Sequence, residues 1–193
     1  KEQGQPVPKA PVQPRGPFTK GAWSAGYAAM IAPLTQLPIK GVLWYQGESN
    51  AGKAALYRRL LPMMISQWRA DWRQPELPFF IVQLPRYRAV AVKPGPSDWA
   101  MLREAQALTA RTLKNCWLSI NLDLGEADNI HPKGKDEVAR RLALLALAKV
   151  YGRNVPCMGP LYRSMKIEGD AARVSFDFAD AGLIARGDGA LTG

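Results

Sequence analysis

Apolar and polar positions along this chain repeat with two different periods. Gly41-Val42-Leu43-Trp44-Tyr45 is a short run of apolar, β-branched and aromatic side chains, which predicts a buried strand. From Ala54 the spacing changes to threes and fours. Leu56, Leu60, Met64, Ile65, Trp68 and Trp72 then fall on one face of a helix, with Pro62 expected to kink it. Phe79-Phe80-Ile81-Val82-Gln83-Leu84 predicts a second buried strand, ended by Pro85. Ser97 or Asp98 is placed to cap a helix from Trp99 to near Lys114. Residues 116–122 read as a third strand ending at Asp123. Residues 136–151 read as a helix with Val138, Leu142, Leu145 and Lys149 on one face and Gly152 as its stop.

Strands separated by helices imply parallel pairing through right-handed crossovers, hence an α/β fold: a three-layer α/β/α sandwich around a parallel sheet. Beyond Gly152 the period shortens to two. Met165, Ile167, Val174, Phe176 and Phe178 alternate around Glu168-Gly169-Asp170, which predicts a hairpin and the start of a separate β element. Residues 23–37 are small and apolar, a short helix or loop stopped by Pro33 and Pro38. Residues 1–22 carry five prolines from Pro6 to Pro17 and are expected to run extended. The expected division is therefore a proline-rich segment over 1–22, a partial α/β domain over 23–152 and a β segment over 153–193.

The stretch from Gln46 to Gly52 joins the first strand to the first helix with amide, carboxylate, hydroxyl and glycine groups. Open α/β sheets place their sites outside the carboxyl ends of the strands, where this turn falls. Residues 47–53 fit G-x-x-x-x-G-K, a phosphate cradle, and the run ending at Asp123 fits a metal-holding strand. The next residue is Ala54 rather than the Ser or Thr that would reach magnesium, and Glu48 sets a carboxylate where polyphosphate would lie. Gly47-Glu48-Ser49-Asn50-Ala51 also approximates a nucleophile elbow with Ser49 at its turn. That elbow needs an acid and a histidine on separate later loops, whereas the single histidine, His131, has Asp128 three residues before it.

With 193 residues and 47% hydrophobic content the chain is long and apolar enough for one substantial core. The net charge of +10 raises nucleic acid as a partner, but the arginines and lysines are spread over several elements as solvated faces. No stacking-aromatic or recognition-helix pattern accompanies them, so no nucleic-acid partner is expected. No apolar run reaches the length of a membrane span. Cys116 opens a strand and reads as a buried thiol; a Cys116–Cys157 disulfide is compatible with an exported protein. The first residue is Lys1, from which a processed or excised piece is expected.

Trp44-Tyr45-Gln46-Gly47-Glu48-Ser49-Asn50 together with Asp128-Asn129-Ile130-His131-Pro132 resembles the sialate O-acetylesterase family, carbohydrate esterases of the SGNH-hydrolase type. Ala29-Met30-Ile31-Ala32-Pro33-Leu34, Leu102-Arg103-Glu104-Ala105-Gln106 and Ser164-Met165-Lys166-Ile167-Glu168-Gly169-Asp170 extend the likeness over residues 25–190. It implies an SGNH/flavodoxin-like sheet, hydrolysis of acetyl esters on sugars through a serine acyl-enzyme, no cofactor and no metal. It also implies a periplasmic or extracellular location.

Acyl transfer needs a base to take a hydroxyl proton and a carboxylate to orient that base. A lone histidine is more often plain surface or core, but the resemblance makes His131 the base and Asp128 its partner. It makes the side-chain amide of Gln46 an oxyanion donor, a contribution of about 3–4 kcal/mol to the transition state. Glu48 either holds the turn or competes with Asp128 for His131, since the glutamate takes that role in related esterases with a Gln-Gly-Glu motif. Arg86, Tyr87, Arg88 and Lys93, in the loop over 85–97, would suit a sugar carboxylate or be ordinary solvent-facing residues. The family's nucleophilic serine belongs to an N-terminal Gly-x-Ser block, and none precedes Gly41; Ser24 has other surroundings. The expected partners are thus an O-acetylated carbohydrate and a missing N-terminal segment or another subunit. The rival functions are a nucleotide-binding module on residues 47–53 and a catalytically inactive scaffold.

Overall fold

The structure, a computed structural model, describes residues 24–89, 91, 93, 95–180 and 182–184. The proline-rich segment over 1–22 lies outside the described residues, as do Trp23, Pro94 and the last nine positions. Three parallel strands form the sheet: β1 (Val42–Trp44), β2 (Phe79–Val82) and β3 (Cys116–Ser119), in the order β1-β2-β3. Val42 pairs with Phe79, and Phe79 with Cys116. Helix α1 (Ala54–Asp71) crosses from β1 to β2, α2 (Asp98–Thr112) from β2 to β3, and α3 (Lys135–Lys149) follows β3.

Every side chain of β2 is buried. Because a strand alternates its faces, Phe79 and Ile81 pack with α1 and α2, while Phe80 and Val82 pack with Val138, Leu142 and Leu145 of α3. That is the expected three-layer sandwich, with helices on both faces of a parallel sheet. Ser97 caps α2 as the sequence suggests, its hydroxyl accepting the Ala100 N–H at 3.2 Å. At the amino edge of the sheet, Arg69 donates to the carbonyls of Leu77, Lys114 and Asn115, tying the end of α1 to the entries of β2 and β3.

Four sequence expectations are corrected. Helix α1 buries Ala54, Tyr57, Leu61 and Ile65, with Trp72 buried just past its end, and not Leu56 and Leu60, which remain 48% and 43% exposed. Counting apolar residues favoured the leucines. The core instead takes Tyr57 because its hydroxyl finds partners at the sheet edge, so its burial leaves no polar atom stranded. Strand β1 is an edge strand rather than a buried one, with Leu43 61% exposed. Pro33 does not stop a helix: a π-helical turn (Tyr27–Ile31) passes into a 3-10 helix (Ala32–Gln36) that Pro33 helps to open. On α3, Lys149 is exposed, while Val138, Leu142 and Leu145 are buried as expected.

Trp68 and Trp72 belong to the core, where Trp68 meets Trp44 edge-on at 5.7 Å and Phe79 at 6.2 Å. Both cysteines are free, and burial pushes the Cys116 thiol up to about 11. Strands β4 (Leu161–Glu168) and β5 (Ala171–Asp177) make the expected antiparallel hairpin, turning through Gly169 at φ 66°. No helix among the described residues is long and apolar enough to cross a membrane.

The orientation of α1 is open to direct measurement. Ile65→Ala is expected to lower the unfolding free energy by about 2–5 kcal/mol, as removal of a fully buried branched side chain does. Leu56→Ala or Leu60→Ala should change it by less than about 1 kcal/mol. Denaturant melts giving the reverse order would place the leucines in the core.

Candidate active site

In a parallel sheet all strands leave by the same edge, so the segments after β1, β2 and β3 share one rim. The first segment turns at Gly47, which is buried at φ 153° and ψ −19°. A Cβ there would lie 2.8 Å from Leu102 Cδ2 and 3.3 Å from Gln106 Nε2, so only glycine fits both the conformation and the space. Residues Glu48–Lys53 then form a 3-10 helix. The stretch over 47–53 is therefore a compact helical turn, not an open loop of free N–H groups, and Ala54 is buried at the start of α1.

Gln46 lies just before that turn. Its Nε2 donates to Asn50 Oδ1 at 2.7 Å, and the Tyr57 hydroxyl lies 3.1 Å from its Oε1 and 3.2 Å from its main-chain oxygen. Trp44 Nε1 donates to the same phenol at 3.3 Å. Burial raises the Tyr57 pKa, which keeps the phenol protonated across the neutral range. Gln106, wholly buried on α2, donates to the Gln46 main-chain oxygen at 3.2 Å and accepts the Leu84 N–H at 3.0 Å. One side chain thus joins the exits of β1 and β2.

The exits of β2 and β3 are joined backbone to backbone. The Arg86 N–H donates to Leu122 O at 3.3 Å and the Arg88 N–H to Ala127 O at 2.9 Å, while Arg86 Nε donates to Gly125 O at 3.0 Å. A Cβ on Gly125 would sit 1.8 Å from the Arg86 carbonyl oxygen. Behind this seam, Trp99 Nε1 donates to Pro85 O at 2.7 Å and its ring packs on Tyr87 at 5.3 Å.

His131 and Asp128 lie in the loop that follows, both exposed. The loop is organised by Glu126, whose carboxylate accepts the Lys133 N–H at 2.8 Å and Asn129 Nδ2 at 3.2 Å. Asn129 Oδ1 in turn accepts the His131 N–H at 2.9 Å. The Lys133 and Asn129 hydrogen bonds, in that order, hold the Glu126 carboxyl below its ordinary range. No hydrogen bond or ion pair among the described residues joins the His131 ring to Asp128 or to Glu48. What the structure brings together is the elements that carry these residues. Lys135, four positions after His131, donates to Tyr45 Oη at 3.0 Å and lies 4.4 Å above that ring, beside Gln46. From the outer side, Arg141 on α3 grips Asp123 with two 2.7 Å hydrogen bonds and Glu137 at 2.9 Å.

Glu126, Tyr57, Gln106, Asn50 and Lys135 were not singled out by sequence reasoning. Glu126 carried a faint signal as an acid in a short polar loop with Asn129 three residues on. Tyr57 carried none, and Gln106 figured only within the resemblance over residues 102–106, since their partners lie 11 and 60 positions away in the chain.

The geometry defines a doubly covered parallel α/β domain with its polar strand exits along one rim, the fold of SGNH-type esterases. Residues 18–148 match the family model described as carbohydrate esterase, sialic acid-specific acetylesterase, and the chain belongs to that family. It is 34% identical over 181 residues to sialate O-acetylesterase of Rattus norvegicus, covering 83% of this chain and 32% of that protein. To the Homo sapiens sialate O-acetylesterase it is 32% identical over 157 residues, 72% of this chain and 30% of that one. The crystal structure of a carbohydrate acetylesterase from Xanthomonas citri superposes with a TM-score of 0.72 at 40% identity, over 78% of this chain and 35% of that one. The chain thus spans about a third of the length of the curated relatives it matches.

The ionised form of Glu126 makes the loop bonds, so their stabilisation is complete above the ordinary carboxylate range and is lost as pH falls through the lowered folded pKa. The Lys133 amide resonance should therefore titrate with a midpoint below the ordinary glutamate value of about 4.3. In Glu126→Gln that titration should vanish and the amides of Asn129, His131 and Lys133 should exchange faster. An unchanged titration in the variant would remove Glu126 from this role.

Proposed function

We propose that this chain supplies the histidine, acid and oxyanion-donor part of a carbohydrate O-acetylesterase. The carrying observation is the Gln46 carboxamide, held at the rim by Tyr57 and Asn50, beside Tyr45 and the Lys135 clasp that leads to the His131 loop. In this reading His131 takes the proton from a serine hydroxyl as it attacks the acetyl carbonyl. Gln46 donates to the oxyanion, and His131 returns the proton to the departing sugar oxygen. Water then hydrolyses the acetyl-enzyme by the same route. Asp128, or Glu48 from the β1 turn, orients the imidazole. Asp128 and His131 are exposed and Glu48 is half-exposed, and catalytic hydrogen bonds often tighten only with substrate present.

The serine is assigned to a segment or subunit outside residues 1–193. Ser119 is buried with its Oγ engaged by Asn121 Nδ2 at 3.2 Å, which disqualifies it. Ser49, exposed on the 3-10 turn, makes no hydrogen bond to His131 among the described residues. The substrate is an O-acetylated sugar, residues 23–152 are a partial esterase domain, and residues 153–193 begin a β domain. The location is periplasmic or extracellular. A nucleotide-binding role gains nothing from residues 47–53, whose helical turn and buried Ala54 offer no cradle and no metal-directed hydroxyl.

Hydrolysis of p-nitrophenyl acetate and of O-acetylated sialic acid tests this, with the chain alone and joined to the segment that precedes the matching region in its relatives. His131→Ala should lower kcat by about 10²–10⁴, the usual worth of a positioned base. Comparing Asp128→Asn with Glu48→Gln identifies the acid by the larger loss. Undiminished activity in His131→Ala would overturn the assignment, and silence of both parent forms would favour an inactive scaffold.

A further inference from the structure

We infer that Tyr57 is a positioning residue for the oxyanion donor, setting which end of the Gln46 carboxamide faces the site; this rests on the reading of Gln46 given above. A carboxamide offers an acceptor and two N–H donors on a nearly symmetric frame, and turning it over exchanges them. Only one orientation presents an N–H to a developing oxyanion. The surroundings of Gln46 distinguish the two.

Tyr57 has one proton and two oxygens of Gln46 within reach, at 3.1 and 3.2 Å. The main-chain oxygen already accepts from Gln106 Nε2. Trp44 Nε1, which can only donate, points at the phenol oxygen and occupies its acceptor side. The Tyr57 proton goes to Oε1, the nearer of the two oxygens and the one with no other donor among the described residues. At the other end Asn50 Oδ1 accepts one Nε2 hydrogen at 2.7 Å. The second Nε2 hydrogen has no acceptor among the described residues and is the one available to substrate. The relay runs from Trp44 through Tyr57 to the Gln46 oxygen, all within the β1 exit and the first turn of α1.

Among the described residues Tyr57 makes no hydrogen bond to Glu48, Asp128 or His131, so its hydrogen-bonded route to the proposed chemistry runs through Gln46. The buried ring stays in Tyr57→Phe and only the hydroxyl is lost. In ¹H–¹⁵N spectra of the chain, the Gln46 side-chain amide pair, identified by its disappearance in Gln46→Ala, should shift and broaden in Tyr57→Phe. The Gln83 pair serves as an unaffected control. Trp44→Phe, which leaves the phenol in place but removes its donor, should shift the Gln46 pair in the same direction by less. In the active protein Tyr57→Phe should lower kcat about tenfold, the worth of one oriented hydrogen bond, with KM nearly unchanged. In a Gln46→Ala background the same change should cost little more, since the two act as one unit. An unmoved Gln46 pair, or a Tyr57→Phe loss that persists in full without Gln46, sinks the positioning role alone. Full activity in Gln46→Ala sinks the oxyanion reading, and the positioning role with it.

Discussion

The burial of β2 on both faces is the constraint from which the rest of the architecture follows. Phe79 and Ile81 need one helical layer, and Phe80 and Val82 need another. A strand with apolar side chains in both directions cannot lie at a surface, so the chain must cross over it twice and return a third helix beneath it. Parallel crossovers deliver every strand exit to one rim. The location of the polar groups is thus a by-product of packing: once Phe79 to Val82 are covered, Gln46, Arg86 and His131 are carried to the same side.

Along that rim, the support given by buried side chains thins from β1 to β3. The β1 exit is fixed by wholly buried Gln106 and by Tyr57, with Gly47 pressed against Leu102. The β2 exit is pinned by Trp99. The His131 loop holds itself mostly through its own acid, Glu126, and is reached from outside by Arg141 gripping Asp123 and by Lys135 on Tyr45. This gradient suits the proposed division of labour, in which the group that would point at a developing charge is preorganised and the base that would move between oxygens is less confined.

Much of this was legible in the sequence because it depends on period and on local chemistry. The unbroken apolar run over 79–84 announced a central strand, Ser97 announced its cap, and alternation around Gly169 announced the hairpin. The positions of Gln46, Glu48, Asp128 and His131 on strand exits followed from the same reading. What was not legible depends on distant partners. Tyr57 displaced Leu56 and Leu60 from the core face because oxygens on Gln46 satisfy its hydroxyl, and no local pattern records that. Likewise β1 looks central by composition, while Leu43 stands exposed and, among the described residues, one neighbour strand lies beside β1. Glu126 was passed over because an acid in a polar loop carries only a faint signature until the donors that point at it are known.

The contact of Gly125 with the Arg86 carbonyl has a bearing on how this rim tolerates change. A side chain there has no room, and two main-chain hydrogen bonds flank the point of closest approach. The two strands of loop are stitched together by main-chain hydrogen bonds from Arg86 to Leu122 and from Arg88 to Ala127. Length variation between relatives, or grafting of new binding segments by design, therefore has a natural boundary. Insertions beyond Arg88 leave the stitched part as a fixed base for a re-shaped outer wall. Insertions before it unpick the support of the very loop that carries His131, and a change of specificity attempted there would arrive together with a loss of the site.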